Sequence, residues 1–252
     1  MGLLSRVDTH SGRLEAHRAL VIGGSGGIGR AVSYQLASMG AAVIVHGGHD
    51  AEKLERVVGY IRDRGGRARG LLRELKRASD ILPELDSCGR IDILVVAFGP
   101  IVYAGLGATT ADDWNRLAGL NLALPGMLVS RTLPGMVERG WGRVILFGGP
   151  HGDATRGFAE IAAYAASKAG IASLCKSAAR QTRGRNVTVN MIAPGYVDTE
   201  LLTESERERA RDRSPRGKLI PAEHVARLAV QLITADDTDV NGACIAMDQG
   251  LG

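Results

Sequence analysis

Strand-like apolar segments alternate with amphipathic helical segments along almost the whole chain, and this alternation limits the possible folds more than any other feature. It is typical of units in which parallel strands are joined by helices. Segment 91–97 is almost continuously apolar, as expected for a parallel strand buried on both faces. The predicted strands are 18–23, 41–46, 69–72, 91–97, 143–147, 187–192 and 243–247, and the predicted helices are 27–39, 50–64, 78–86, 111–139, 161–182 and 221–234. The pattern predicts an α/β fold, a doubly wound seven-stranded parallel sheet flanked by helices, as one domain over residues 1–252.

The composition indicates a protein of the cytoplasm. The chain has 252 residues, of which 45% are hydrophobic, so it can build a full core. No apolar run approaches the roughly 20 residues of a transmembrane helix. Residues 1–17 form a mixed, polar N-terminal extension without the apolar stretch of a secretory signal. The three cysteines have no metal-like spacing, and we expect free thiols in a reducing cytosol and no metal site.

The net charge of +4 does not indicate a nucleic-acid-binding protein. The basic residues concentrate in segments 62–77 and 207–218, where acidic residues are interspersed among them. Aromatic residues make up only 4% of the chain, which leaves few platforms for stacking bases. We therefore expect solvated helix faces with a mild attraction for an anionic cofactor or substrate.

A glycine-rich turn follows the first predicted strand and leads into the first predicted helix. It contains Gly23, Gly27 and Gly29, with Ser25 and Ile28 between them. Glycines let the backbone approach a pyrophosphate closely, and the helix N-terminus supplies free N–H donors and the positive end of a dipole. The turn predicts a dinucleotide-binding site.

Tyr164 and Lys168 are four residues apart in a predicted helix, so they share one face. A phenol with a pKa of about 10 is a poor acid or base at neutral pH, and a neighbouring lysine favours the phenolate and lowers that pKa. Such a pair can exchange a proton with an alcohol oxygen. The spacing alone is more often a surface contact, so the hypothesis depends on the upstream motifs.

The order of these motifs resembles the short-chain dehydrogenase/reductase family, whose members have a Rossmann fold. The glycine spacing of the first turn and the later Tyr-x-x-x-Lys carry the resemblance, which covers residues 18–250. Further similar segments are Asp92-Ile93-Leu94-Val95, Leu120-Asn121-Leu122, 190–199 and Asp248-Gln249-Gly250. The size is similar to that of 3-oxoacyl-carrier reductases.

The resemblance implies a role for each matching residue. Tyr164 would be the general acid or base, Lys168 would lower its pKa and hold the nicotinamide ribose, and Asn121 would hold a water that relays protons. Gly99 would allow close approach of the cofactor. The nicotinamide site would be shaped by Pro194, Gly195, Val197 and Thr199.

The chain departs from the family pattern beside the catalytic tyrosine. Aligned from the fifth strand, Gly149 stands where the family has a serine that binds the substrate carbonyl. Either His151 or Thr155 replaces that serine, or the chain is a weakened or non-catalytic member. Loss of one such donor costs about 10²–10³ in rate. A second departure is segment 96–99, which lacks both amides of the family's Asn-Asn-Ala-Gly.

The end of the second strand predicts a preference for NADP(H) over NAD(H). NAD enzymes commonly place an acid there for the ribose 2′-hydroxyl, and this chain has none before Asp50. His46, His49 or Arg30 could contact a 2′-phosphate. Glu74 could stand where the family has an aspartate near the adenine.

Family position makes segment 199–219 the substrate lid. Glu-to-Arg spacings of three residues favour a solvated helix there, and the alternative is a surface that binds the anionic part of an acyl-carrier substrate. We expect an oxidoreductase acting on a small carbonyl or alcohol substrate, assembled as a homotetramer or dimer through helices 111–139 and 161–182. The competing hypothesis is a dinucleotide-binding protein with weak or no catalysis, acting through sensing or association.

Overall fold

The computed structural model describes residues 13–149 and 156–251. Its strands are β1 Arg18–Ile22, β2 Ala42–Gly47, β3 Arg67–Leu72, β4 Ile93–Val96, β5 Gly142–Phe147, β6 Val187–Pro194, β7 Val197–Asp198, β8 Ile220–Pro221 and β9 Cys244–Met247. Its α-helices are α1 Gly27–Ser38, α2 Ala51–Arg62, α3 Leu82–Cys88, α4 Ala111–Ala118, α5 Leu124–Glu138, α6 Ala162–Gln181, α7 Glu204–Arg213 and α8 Ala222–Thr234. Within these described ranges, no helix combines the length and apolar character needed to cross a membrane.

Seven of the strands form one parallel sheet in the order β3-β2-β1-β4-β5-β6-β9. The chain runs outward from β1 to β3, returns to the centre at β4 and then runs outward on the other side. This reversal between β1 and β4 is the switch point at which doubly wound sheets bind ligands. The predicted fold is confirmed.

Successive residues of the central strands supply two separate cores, one on each face of the sheet. Val21 and Val95 pack in the core beneath α1 and α8, whereas Leu20 and Leu94 pack in the core beneath α5 and α6. Because side chains alternate between the faces of a strand, a strand covered on both sides must be apolar throughout. That requirement explains the apolar run in β4.

The predicted single helix over 111–139 is interrupted. The chain forms α4, then a π-helical turn over Gly119–Ala123, and then α5. Pro125 lies in the first turn of α5 and has no N–H to donate to the preceding turn, which is where the chain is π-helical. The wider turn places Asn121 and Leu120 in the interior.

Two short strands and a polar helix lie between β6 and α8. The pairing of β7 with β8 was not predicted. α7 confirms the solvated helix: Thr203 and Glu206 form a capping box at its start, and Ala210 is its one buried residue. These elements lie within segment 199–219 or directly beside it.

A buried carboxylate ties together the edge of the sheet opposite its carboxyl ends. Asp92 is 1% exposed, accepts a hydrogen bond from the backbone N–H of Arg18 at 3.0 Å and forms ion pairs with Arg90 and Arg139 at 2.6 and 3.4 Å. Both arginines contact solvent, whereas the carboxylate of Asp92 does not and depends on these partners for its hydrogen bonds.

We predict that Asp92→Ala lowers the free energy of unfolding by about 3 kcal/mol, because it leaves the backbone N–H of Arg18 and two guanidinium groups without their shared acceptor. Urea denaturation measures the change. Asp86→Ala removes the acid of an exposed ion pair with Arg131 and should stay within about 1 kcal/mol. Equal effects of the two substitutions would contradict the assignment.

Candidate active site

A cavity of about 250 Å³ opens at the carboxyl ends of the central strands. It is the position expected for a ligand in a doubly wound sheet. Most of the predicted site residues meet around it, and the lining consists of Ile28, Ala97, Phe98, Gly99, Phe147, Gly148, Gly149, Tyr164, Lys168, Pro194, Gly195, Val197 and Thr199.

The glycine turn lets α1 begin almost against the end of β1. A Cβ at Gly29 would lie 2.2 Å from the carbonyl oxygen of Gly23, so no side chain fits between the turn and the helix. Gly23 itself has φ +76°, a conformation that favours glycine. The N-cap residue of α1 is Gly26, which has no side chain to cap the helix. The turn therefore offers backbone donors and a positive dipole end to an anion.

Tyr164 and Lys168 lie one turn apart on α6, as predicted, but the expected effect of the lysine on the pKa of the phenol is not what the structure gives. The ammonium of Lys168 lies 5.9 Å from the centroid of the Tyr164 ring and donates a hydrogen bond to the carbonyl oxygen of Phe147 at 2.9 Å. Burial raises the pKa of Tyr164 to about 12 and lowers the pKa of Lys168 to about 8. Desolvation outweighs the attraction that sequence reasoning expected. Tyr164 is thus a neutral phenol at pH 7.

Asn121 points an unused acceptor into the same region. Its amide nitrogen donates to the carbonyl oxygen of Pro100 at 2.9 Å, whereas its Oδ1 is buried and has no hydrogen-bond partner among the described residues. A Cβ at Gly99 would lie 2.1 Å from that Oδ1 and 3.1 Å from the Nζ of Lys168. Gly99 therefore keeps open the space that borders both groups. A buried unpaired acceptor of this kind is a place where a water binds.

Gly149 lies directly against the phenol. A Cβ built on Gly149 would be 3.3 Å from the hydroxyl oxygen of Tyr164 and 3.1 Å from its Cε1. Gly149, which was predicted to stand at the position of the family's serine, has no side-chain donor to offer beside this hydroxyl. His151 and Thr155, the two predicted substitutes, lie outside the described residues.

His46 supports the glycine turn, which is a different role from the predicted phosphate contact. Its Nδ1 accepts a hydrogen bond from the N–H of Gly23 at 3.2 Å, and its Nε2 lies 2.9 Å from the carbonyl oxygen of Arg73. The ring is 1% exposed, and burial lowers its pKa to about 4. With both nitrogens bound to backbone groups, the ring has no donor left for a phosphate. His49, the other predicted histidine, is exposed.

A basic groove beside the glycine turn was only partly foreseen. Arg30 was predicted, but Lys53, Arg56 and Glu200 were not, and all four line a groove of about 660 Å³ next to Ser25. Glu200 forms ion pairs at 3.2 Å with both Arg30 and Lys53. No local pattern links residues 30, 53 and 200, so only the fold shows that they meet.

The acids near the predicted adenosine side have other partners. The carboxylate of Asp50 accepts a hydrogen bond from the backbone N–H of Lys53 at 2.8 Å and so caps α2. Glu74, which was predicted to lie near the adenine, pairs with Lys76 at 3.3 Å and is half-exposed.

The family model described as short chain dehydrogenase matches residues 17–210. The 3-oxoacyl-[acyl-carrier-protein] reductase FabG of Vibrio harveyi is 32% identical over 249 residues, which cover 94% of this chain and 98% of that protein. The D-beta-hydroxybutyrate dehydrogenase of Rhizobium meliloti is 29% identical over 255 residues, covering 92% and 97%. The crystal structure of a 3-oxoacyl (acyl-carrier-protein) reductase from Agrobacterium tumefaciens C58 with NADP bound has a TM-score of 0.86 and 30% identity, and it covers 97% of this chain and 98% of that one.

We predict that stability falls between pH 6.5 and pH 4 because of His46. Its pKa in the folded protein is about 4, below the ordinary value of 6.5, so the unfolded chain binds a proton that the folded protein excludes. The loss should reach about 3 kcal/mol at pH 4. Urea denaturation of the wild type and His46→Gln at several pH values measures it.

The variant His46→Gln should show a flatter pH dependence, since its amide does not titrate. His49→Gln changes an exposed histidine and should keep the wild-type slope. A wild-type slope in His46→Gln would contradict the role given to His46.

Proposed function

The chain belongs to the short-chain dehydrogenase family, and from this membership we propose that it transfers a hydride between NADP(H) and a ketone or secondary alcohol, with Tyr164 as the general acid or base. The observation that carries the proposal is that one cavity is lined both by Tyr164 and Lys168 and by the residues expected on the nicotinamide side. The latter are Pro194, Gly195, Val197 and Thr199. The names of similar proteins, which include reductases and a dehydrogenase, support the same reaction class.

The residues present fit a dinucleotide. The turn containing Gly23, Ser25, Gly27, Ile28 and Gly29 would hold the phosphates, because the backbone N–H groups and positive dipole end at the start of α1 favour an anion. The nicotinamide end would rest on Gly99 and on the wall formed by Pro194, Gly195, Val197 and Thr199. The bound nicotinamide supplies or accepts the hydride, and the protein supplies position and the proton.

The protonation states favour Tyr164 as a proton donor, which suits reduction of a carbonyl. A phenol with a pKa near 12 keeps its proton at neutral pH. Lys168, with a pKa of about 8, is mostly an ammonium at pH 7 and can support the phenolate that remains after the proton has left. The free Oδ1 of Asn121 would hold a water near Lys168 through which the proton is replaced.

NADP(H) fits better than NAD(H). The first acid after β2, Asp50, is committed to capping α2 and is not free to bind a ribose hydroxyl. The neighbouring groove contains three cations, Arg30, Lys53 and Arg56, and two acids, Asp63 and Glu200. A relative of known structure was solved with NADP bound, which agrees with this preference.

The substrate would be a small carbonyl or alcohol compound, and 3-oxoacyl compounds are the first class to test. Segment 199–219 would close over it as a lid, and residues 1–17 would be the N-terminal extension of the single domain over 1–252. A homotetramer or dimer would form through α4, α5 and α6, where Trp114 of α4 is 39% exposed. We place the protein in the cytoplasm.

One observation favours a second candidate function, a dinucleotide-binding protein with weak or no catalysis that acts in sensing or association. Gly149 brings no side-chain donor to the substrate carbonyl, although a Cβ built there would lie 3.3 Å from the hydroxyl oxygen of Tyr164. A panel of ketones and alcohols separates the two functions. Binding of NADP(H) without turnover of any compound would favour the second function.

We predict that Tyr164→Phe lowers kcat for NADPH-dependent ketone reduction by about 10²–10⁴, the usual contribution of general acid catalysis. The binding of NADPH should persist, because the substitution removes only the hydroxyl. Steady-state kinetics and NADPH fluorescence titration measure the two effects. Undiminished turnover would remove Tyr164 from the reaction.

We predict that Gly149→Ser raises kcat/KM by about tenfold or more, because one well-placed donor to the carbonyl oxygen is worth about 10²–10³. Gly149→Ala is the matched control, since it adds the Cβ beside Tyr164 without the hydroxyl. It should give no gain. A serine variant no faster than the alanine variant would mean that another group already binds the carbonyl.

A further inference from the structure

The strap, defined as residues 199–203, carries a carboxylate onto the N-terminus of α1. The Oε1 of Glu200 accepts a hydrogen bond from the backbone N–H of Gly27 at 3.0 Å. The same carboxylate forms ion pairs with Arg30 and Lys53, each at 3.2 Å. Glu200 therefore supplies the acceptor for a free N–H at the start of α1 that the N-cap residue, Gly26, cannot supply.

Gly26 makes room for this arrangement. A Cβ at residue 26 would lie 2.9 Å from the Nζ of Lys53 and 3.0 Å from the Oε1 of Glu200. The backbone of Gly26 is extended, with φ −151°, so its conformation does not require glycine. The absence of a side chain therefore lets an ammonium from α2 and a carboxylate from the strap meet above the turn.

Glu200 is held as an anion by its partners. Burial by itself would raise the pKa of Glu200, but the N–H of Gly27, the ammonium of Lys53 and the guanidinium of Arg30 keep it below its ordinary value. The carboxylate is 32% exposed, and its two cations are 37% and 25% exposed. Ion pairs with this much solvent contact are weak, so a stronger anion can replace the carboxylate.

The contacts made by Glu200 are those that a phosphate group seeks. Helix N-termini and nearby lysine or arginine side chains are the usual partners of phosphate oxygens. Lys53 lies in the first turn of α2, which follows the end of β2, where doubly wound folds place the ribose of the adenosine. A carboxylate and a phosphate cannot occupy this position together.

We propose that Glu200 is the resting counter-ion of the cofactor-phosphate site, which NADP(H) displaces so that Arg30 and Lys53 bind its 2′-phosphate. The inference rests on the proposed use of NADP(H). It assigns the selectivity for NADP(H) over NAD(H) to Arg30 of α1 and Lys53 of α2. It also means that binding of the cofactor releases the strap from these two helices.

The strap connects this exchange to the lid region. Arg207 of α7 forms an ion pair with Asp198 and donates to the carbonyl oxygen of Thr199, directly before Glu200. Leu201, the next residue, is 68% exposed. Release of Glu200 would therefore remove the ionic contacts of the strap with α1 and α2, while the contacts of Arg207 still join it to α7.

Calorimetric titration of the protein with NADP⁺ and with NAD⁺ tests the proposal without any need for turnover. Glu200→Gln should tighten NADP⁺ binding about 3- to 10-fold, the range expected when two half-exposed ion pairs no longer compete. NAD⁺ binding should tighten less, because it lacks the 2′-phosphate. Lys53→Met should weaken NADP⁺ binding more than NAD⁺ binding.

Glu204→Gln is the matched control, since it removes the same charge from a residue whose partners, Arg207 and Arg211, lie within α7. It should leave both affinities unchanged. Glu200→Ala should change them in the same direction as Glu200→Gln, and a cooperative thermal transition without ligand verifies that each variant is folded.

The outcomes separate this inference from the proposed function. If the wild type binds NADP⁺ and Glu200→Gln binds it equally or more weakly, the counter-ion role is wrong while the proposed function stands. An unchanged preference for NADP⁺ in Lys53→Met would overturn the assignment of the 2′-phosphate. If the wild type binds neither dinucleotide, both proposals fail.

Discussion

The close packing of α1 against the end of β1 is the constraint on which the site depends. No side chain fits between Gly29 and the carbonyl oxygen of Gly23. The helix therefore starts at the switch point of the sheet and presents its backbone N–H donors there. His46 accepts a hydrogen bond from the N–H of Gly23, and this bond connects the end of β2 to the turn that follows β1. The basic groove beside the glycine turn, the strap and the cavity all border the start of α1 that this packing positions.

Burial decides the protonation of Tyr164 and Lys168, the proposed catalytic pair. Both the phenol of Tyr164 and the ammonium of Lys168 lose water, and each is pushed toward its neutral form. The ammonium of Lys168 donates its hydrogen bond to the carbonyl oxygen of Phe147 at the end of β5. The phenol therefore keeps its proton at neutral pH, and Gly149, two residues after β5, adds no side chain beside it.

The sequence predicted those features that a local pattern can encode. The apolar run of β4 follows from burial on both faces, and the glycine spacing from Gly23 to Gly29 follows from close packing. The ion pairs of Glu200 with Arg30 and Lys53 join three segments far apart in the chain, so no sequence spacing could predict them. The role of His46 and the raised pKa of Tyr164 depend on desolvation, which only the packed structure determines.

The π-helical turn between α4 and α5 has a consequence for how the chain can change in length. Each residue of an α-helix advances the side-chain direction by about 100°, so removing one residue from Gly119–Ala123 to make the helix regular would rotate Asn121 away from Gly99. The apolar positions of α5 would rotate with it, away from the core that Leu128 helps to fill. The spacing between α4 and α5 is therefore constrained by the position of Asn121 beside Gly99 on one side and by the core on the other.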